Sequence, residues 1–230
     1  MSFLAGMQGV VGMLAAKPPP SVSYIGITKP AVAQNFTLSG LSIGAADETR
    51  RVIIALAWNN AVAHRTVSSI TMDTVSMGAA LVSVVGSSFL GGDIAFYSAL
   101  KPAGTTADFQ INFSGINVAL SVAIFRALNE NSITPHDTLS DNAISGSNFS
   151  DTINIANSGW VIATANGSGT SPTGVTWAGA TEQFDDVIDA TVVRDSGALE
   201  QLLSVQTGRT ITATIAATSP GGCLAGISWG

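Results

Sequence analysis

The side chains able to do acid–base or nucleophilic chemistry are few and scattered. His64 in AVAHRTV and His136 in ITPHDTL are the two imidazoles, the groups that titrate nearest neutral pH. Neither belongs to an HExxH pattern or sits in a cluster of metal-ligating residues. A serine hydrolase needs a nucleophile, an imidazole and a carboxylate in contact. The local set that could supply them is Ser132 or Ser140 with His136 and Asp137 or Asp141, and it lacks the GxSxG elbow that would present the serine. Solvated loop side chains explain it more simply. No catalytic residue is assigned, and the expectation is a protein that is not an enzyme.

The acidic group Glu182, Asp185, Asp186 and Asp189 in TEQFDDVID offers carboxylate oxygens. Calcium would use them, but the spacing lacks the glycine turn and terminal glutamate of an EF-hand loop. A pair of them could act on a glycosidic bond, although sequence spacing says nothing about the ~5–9 Å separation that chemistry needs. The reading adopted is a solvated turn or short helical tip, with calcium binding near Asp185 left open. No metal and no cofactor are assigned.

Aromatic residues raise a different chemistry, stacking on sugar rings. Trp58, Trp160 and Trp229 lie within hydrophobic stretches and are expected in the core. Trp177, in SPTGVTWAGAT, is flanked by turn residues and is the candidate for glycan contact. Cys223 stands alone, which excludes an intrachain disulfide, and reads as a small buried residue of the last strand. The glycosylation-like triplets at Asn35, Asn112, Asn148 and Asn166 read as strand ends and turns in which Phe buries and Asn caps.

The elements that would position these residues are short strands. Alternation is plain in NVALSVAIF, where Val118, Leu120, Val122 and Ile124 share one face and small neutral residues the other. It recurs in TITATIA, where Ile211 and Ile215 alternate with threonine. Similar patterns occur at residues 22–28, 35–40, 51–59, 66–73, 79–87, 92–100, 107–114, 117–128, 151–156, 159–166, 190–195, 200–207, 210–218 and 223–229. Helical patterns of useful length are missing after residue 16, so crossover βαβ units are not supported. The expected fold is all-β, an antiparallel β-sandwich of jelly-roll or immunoglobulin-like outline. Residues 21–230 read as a single domain, with the polar stretch 129–150 as a crossover loop inside it.

Composition restricts the partners. Only 10% of the 230 residues are charged, against roughly 25% in an ordinary soluble protein, while 46% are hydrophobic. Mean hydropathy is +0.40. A surface so poor in charge is expected to be covered by copies of the chain or by other proteins. The net charge of −6, with basic residues dispersed apart from Arg50–Arg51, offers no stripe for phosphates, so nucleic acid is not an expected ligand.

Residues 1–20, MSFLAGMQGVVGMLAAKPPP, stand apart. No Lys or Arg precedes Lys17, as a secretory leader would require, and sixteen residues as a helix reach only ~24 Å, short of a membrane span. Phe3, Leu4, Met7, Val10, Val11 and Leu14 form a stripe at helical spacing. Gly6, Gly9 and Gly12 would each weaken such a helix by ~1 kcal/mol relative to alanine. The segment is expected to order against a partner, with Pro18–Pro20 as an extended spacer.

In order and type, RVIIALAWN (51–59), SITMDTVSMGAALVSVVGS (69–87), GDIAFYSALKPAGTTADFQINFSG (92–115) and VALSVAIFRAL (118–128), followed by SGWVIATANG (158–167), form a recognisable series. The chain over most of residues 21–230 resembles the β-sandwich modules found in tail, fibre and other virion proteins of bacteriophages and prophages. That resemblance implies a structural or attachment role in the virion, assembly with other virion proteins and with copies of itself, and a trimer as the symmetry. It implies no catalytic residues. It is compatible with a carbohydrate-binding or adhesin module contacting a host-surface glycan, and it does not separate capsid from tail.

Overall fold

The computed structural model of the protein describes residues 17–60, 62–86, 92–116, 118–143, 147–189 and 193–230. Strands account for the described secondary structure, and every strand pair is antiparallel.

The first nine are β1 (Ser21–Thr28), β2 (Asn35–Ser42), β3 (Arg51–Asn59), β4 (Val67–Met72), β5 (Val75–Ser76), β6 (Val82–Val85), β7 (Asp93–Leu100), β8 (Thr106–Phe113) and β9 (Ala119–Leu128). They divide into a central sheet of order β1-β9-β3-β7-β6 and an outer sheet of order β2-β8-β4-β5. The chain passes back and forth between the two sheets, and the orders β1-β9-β3-β7 and β2-β8-β4-β5 are those of a jelly roll. The β4–β5 hairpin turns on Asp73 and Thr74, both at positive φ (48° and 70°), as a two-residue turn matched to strand twist requires.

The rest of the chain builds a third sheet. It comprises β10 (Asp137–Ala143), β11 (Asn148–Ile155), β12 (Gly159–Ala178), β13 (Thr181–Asp189), β14 (Val193–Leu203) and β15 (Gln206–Trp229). Their order is β10-β15-β12-β14-β13, with β11 also on β15. The two longest strands bend. Register shifts at Ser168/Thr170 and Thr170/Gly174 separate one stretch of β12, paired with the end of β15, from another paired with its beginning. Leu139, Val161, Ala163, Ala165 and Leu224 on one side of the bend meet Phe149, Ile153, Val175, Ile211 and Ile215 on the other, and together they form a core of their own.

The central sheet is therefore covered on both faces. In β3 all nine residues are buried. Val52, Ile54, Leu56 and Trp58 enter the core under the outer sheet, while Ile53, Ala55 and Ala57 enter the core shared with the third sheet. In β9, Leu120, Val122 and Ile124 take the first face; Ala123, Phe125 and Ala127 take the second. The small neutral face seen in the sequence of β9 is thus a packing face, where short side chains let a second sheet approach.

Two expectations are corrected. The stretch 129–150 is more than a crossover: it contains β10 and the start of β11. TEQFDDVID is neither a turn nor a helical tip but edge strand β13, paired along β14. Polar composition hid β10 because aspartates of both strands join it to β11 through side chains. Asp137 Oδ2 accepts the N–H of Asn154 at 2.8 Å, Asp151 Oδ2 that of Ser140 at 2.9 Å, and Asp141 Oδ2 that of Ser150 at 2.7 Å. Carboxylates here do the work of a backbone ladder.

Candidate functional site

At the end of the molecule where β1, β3 and β12 begin and β7, β9 and β15 finish, a pocket of about 270 Å³ opens. Arg51, the first residue of β3, faces Leu100, the last of β7. The connection leaving β9 supplies Glu130, Asn131, Ser132 and Ile133, and Thr49 completes the lining. Beneath lie Trp160 and Trp229, paired across β12 and β15 with ring centroids 5.3 Å apart.

The indoles hold the connection in place. Trp160 Nε1 donates to Glu130 Oε1 at 2.8 Å, and Trp229 Nε1 donates to the Ser132 carbonyl at 3.1 Å. The Arg51 guanidinium carbon lies 5.8 Å from the Trp229 ring centroid, within cation–π range. Nη1 of Arg51 donates to Ser98 Oγ at 3.2 Å. Lys17 Nζ donates to the Glu130 carbonyl at 3.2 Å and to Asn131 Oδ1 at 2.8 Å, which brings a second cation alongside.

Two buried polar atoms of this site lack a hydrogen-bond partner: Arg51 Nε and Glu130 Oε2. Arg51 is only 6% exposed. Burial pushes the Glu130 carboxyl up to about 7, against the opposing pull of the Trp160 hydrogen bond and the charges of Arg51 and Lys17. Burial also pulls the Arg51 pKa down. A guanidinium and a protonatable carboxyl converge beside hydroxyls and two exposed aliphatic side chains, an arrangement suited to binding. Sequence reasoning missed it. The signal present was Arg50–Arg51, a charged pair opening an otherwise apolar strand.

Arg50 has a structural task. Fully buried, it donates from Nε to the Lys101 carbonyl at 2.6 Å, from Nη1 to that of Gly44 at 2.8 Å and from Nη2 to that of Ala103 at 2.8 Å. The connection between β7 and β8 is thereby fastened to the start of β3.

A polar seam runs between the central and third sheets. Asp195 of β14, 1% exposed, accepts from Ser121 Oγ at 2.6 Å and from Thr164 Oγ1 at 2.9 Å. Burial pushes its carboxyl up to about 6. Farther along, His64 Nδ1 lies 2.9 Å from Asp93 Oδ1, which also accepts the Gly86 N–H at 2.9 Å. Asn166, wholly buried, donates to the carbonyls of Trp58 and Asp93.

The remaining sequence candidates fall apart in space or turn inward. His136 is exposed, and its backbone N–H bonds the Ser228 carbonyl. Asp137 and Asp141 bracket β11 through the bonds given above, and Ser132 Oγ pairs with Thr134 Oγ1 at 3.0 Å. Of the acidic group, Asp185 is held by Arg194 and by the Val175 N–H, and Asp186 by Lys29. Among the described residues no group of three or more His, Cys, Asp or Glu gathers as metal ligands would. Trp58, Trp160 and Trp229 are core residues. Trp177 is half-buried and donates its indole N–H to Ser196 Oγ at 2.8 Å. Cys223 is buried, which pushes its thiol pKa up. Of the asparagine triplets, Asn35 and Asn112 sit opposite each other in β2 and β8, and Asn148 opens β11. The docking candidates Phe3, Leu4, Met7, Val10, Val11 and Leu14 lie outside the described residues. Among the described residues no helix is long and apolar enough to cross a membrane. Comparison with known protein families, with curated proteins and with solved structures finds no match to this chain.

Proposed function

We propose that this chain is a non-enzymatic structural component of a phage particle, a tail, fibre or capsid-associated protein that assembles through one end. The observation that carries the reading is a coincidence of place. Lys17, where the apolar segment 1–16 joins the body, lies against Glu130 and Asn131. Around the same end Leu100, Ile133, Leu202 and Val205 are each more than half exposed. Leu202 and Val205 flank the turn from β14 to β15, beside the Gly159–Leu203 pair that adjoins Trp160. Isolated exposed aliphatics are common on any surface, but several at the end of the body where Lys17 lies suit a contact between chains. The series of strands resembling virion sandwich modules and the shortage of charge point the same way.

The test is the solution mass by light scattering, full-length beside a variant lacking residues 1–17. A defined oligomer that dissociates on deletion, with circular dichroism unchanged, is the expected result. Equal masses, with neither form binding particles, would sink the proposal.

A further inference from the structure

The chain leaves the outer sheet between Met77 and Leu81. On its outer edge β4 pairs with β5 at Thr71–Ser76 and Met72–Val75, and the Met77 N–H bonds the Ile70 carbonyl. The backbone then turns at Gly78, whose φ is positive, and the Leu81 N–H bonds the Phe96 carbonyl of β7. Between these attachments a pocket of about 360 Å³ opens. Val67 and Ile70 of β4 line it with Ala79 and Ala80 of the connection to β6. Tyr97 of β7, 6% exposed and packed in the core under the outer sheet, completes the lining together with Ser68 and Ser69.

A buried phenol ordinarily finds a hydrogen-bond partner. Tyr97 Oη makes no hydrogen bond among the described residues. It is also not one of the polar atoms sealed from solvent, so the pocket it lines is where a partner can reach it. Burial holds its pKa above the usual value, so the phenol keeps its proton at neutral pH and can donate or accept. The two serines are already engaged: Ser68 Oγ donates to the Asn112 carbonyl at 3.0 Å, and Ser69 Oγ accepts from Asn112 Nδ2 at 2.8 Å.

We propose that this pocket binds a small neutral molecule with an apolar body and one hydrogen-bonding group, which pairs with Tyr97 Oη. The lining selects that class. Among the described residues no charged side chain lines the pocket, so an ion would enter without a counter-charge. A sugar would find one open partner for its many hydroxyls and would press the others against Val67, Ile70, Ala79 and Ala80. A wholly apolar molecule would leave the phenol unpaired. Water is the competitor: it satisfies Oη but gains nothing from the apolar walls. A volume of about 360 Å³ suits a small molecule rather than a polymer segment. Binding here does not depend on assembly into a particle.

Phenol, benzene, benzoate and glucose would be titrated into the full-length protein, with affinity read by calorimetry and place by amide chemical shifts. Phenol is expected to saturate, with shifts centred on Val67–Ile70 and Gly78–Ala80. It should bind about fivefold tighter than benzene, the factor that one neutral hydrogen bond contributes. Benzoate and glucose should not saturate. Tyr97→Phe removes the oxygen and keeps the ring, so it should fold, weaken phenol about fivefold and leave benzene unchanged. No saturation by phenol, or shifts centred elsewhere, overturns the proposal. So does benzoate or glucose binding as tightly as phenol, and so does undiminished phenol binding in Tyr97→Phe. Should that variant fail to fold, the wild-type comparison decides: phenol no tighter than benzene means that water already serves the hydroxyl, and the proposal falls.

Discussion

Asp195 makes the stability of this fold depend on pH in a direction opposite to that of most carboxylates. It is buried between two sheets, where two hydroxyls accommodate it, and among the described residues no cation forms an ion pair with it. Its pKa rises from 3.8 to about 6 on folding. The folded state therefore holds a proton that the unfolded state releases between those values. Stability from this group is fully present below the unfolded pKa and is lost as pH rises through the folded one. A rise of about two on the pKa scale, at about 1.36 kcal/mol for each, corresponds to about 3 kcal/mol. Asp195→Asn removes the ionisation while keeping shape: the amide oxygen accepts from one hydroxyl, and the other hydroxyl rotates to accept from the amide nitrogen. Urea unfolding of both proteins at a series of pH values isolates the group, because contributions from other carboxyls cancel in the difference. Relative to wild type, the variant should gain about 3 kcal/mol between about pH 4 and about pH 7. A difference that stays constant with pH would refute the burial argument.

Two further predictions concern the frame. Arg50→Lys retains the charge but cannot reach the carbonyls of Lys101, Gly44 and Ala103 together, so it should lower unfolding free energy by about 3 kcal/mol in urea melts. Gly222→Ala would place a Cβ 2.3 Å from the Asn166 carbonyl oxygen and 2.9 Å from the Gly167 Cα. Backbone must move there, and a loss of roughly 1–3 kcal/mol is expected in thermal or chemical melts. Gly26→Ala, with nothing within 4 Å of the added carbon, is the control that should stay near wild type.

The candidate site shows why pattern reading stops where it does. Strand β3 is legible to the residue because its apolar run, its β-branching and its Arg–Arg head are local properties. Trp160 and Trp229 are legible as core. That they pair beneath Glu130, far away in sequence, depends on β12 lying against β15. Glu130 itself sits in a polar stretch and reads as solvated, and its burial comes from neighbours that a local reading cannot supply. Asp195 gives no local signal for the same reason.

The sequence by itself determined an all-β antiparallel chain, the place of most strands, the inward direction of three tryptophans and the lack of a nucleophile elbow. These follow from a period of two and from turn chemistry, both written in neighbouring residues. Tertiary structure alone decided that the central sheet is covered twice, that β12 and β15 bend around a third core, and that Arg51 and Glu130 line one pocket. Those outcomes belong to contacts between residues distant in the chain, whose energies come from burial that no single segment can achieve.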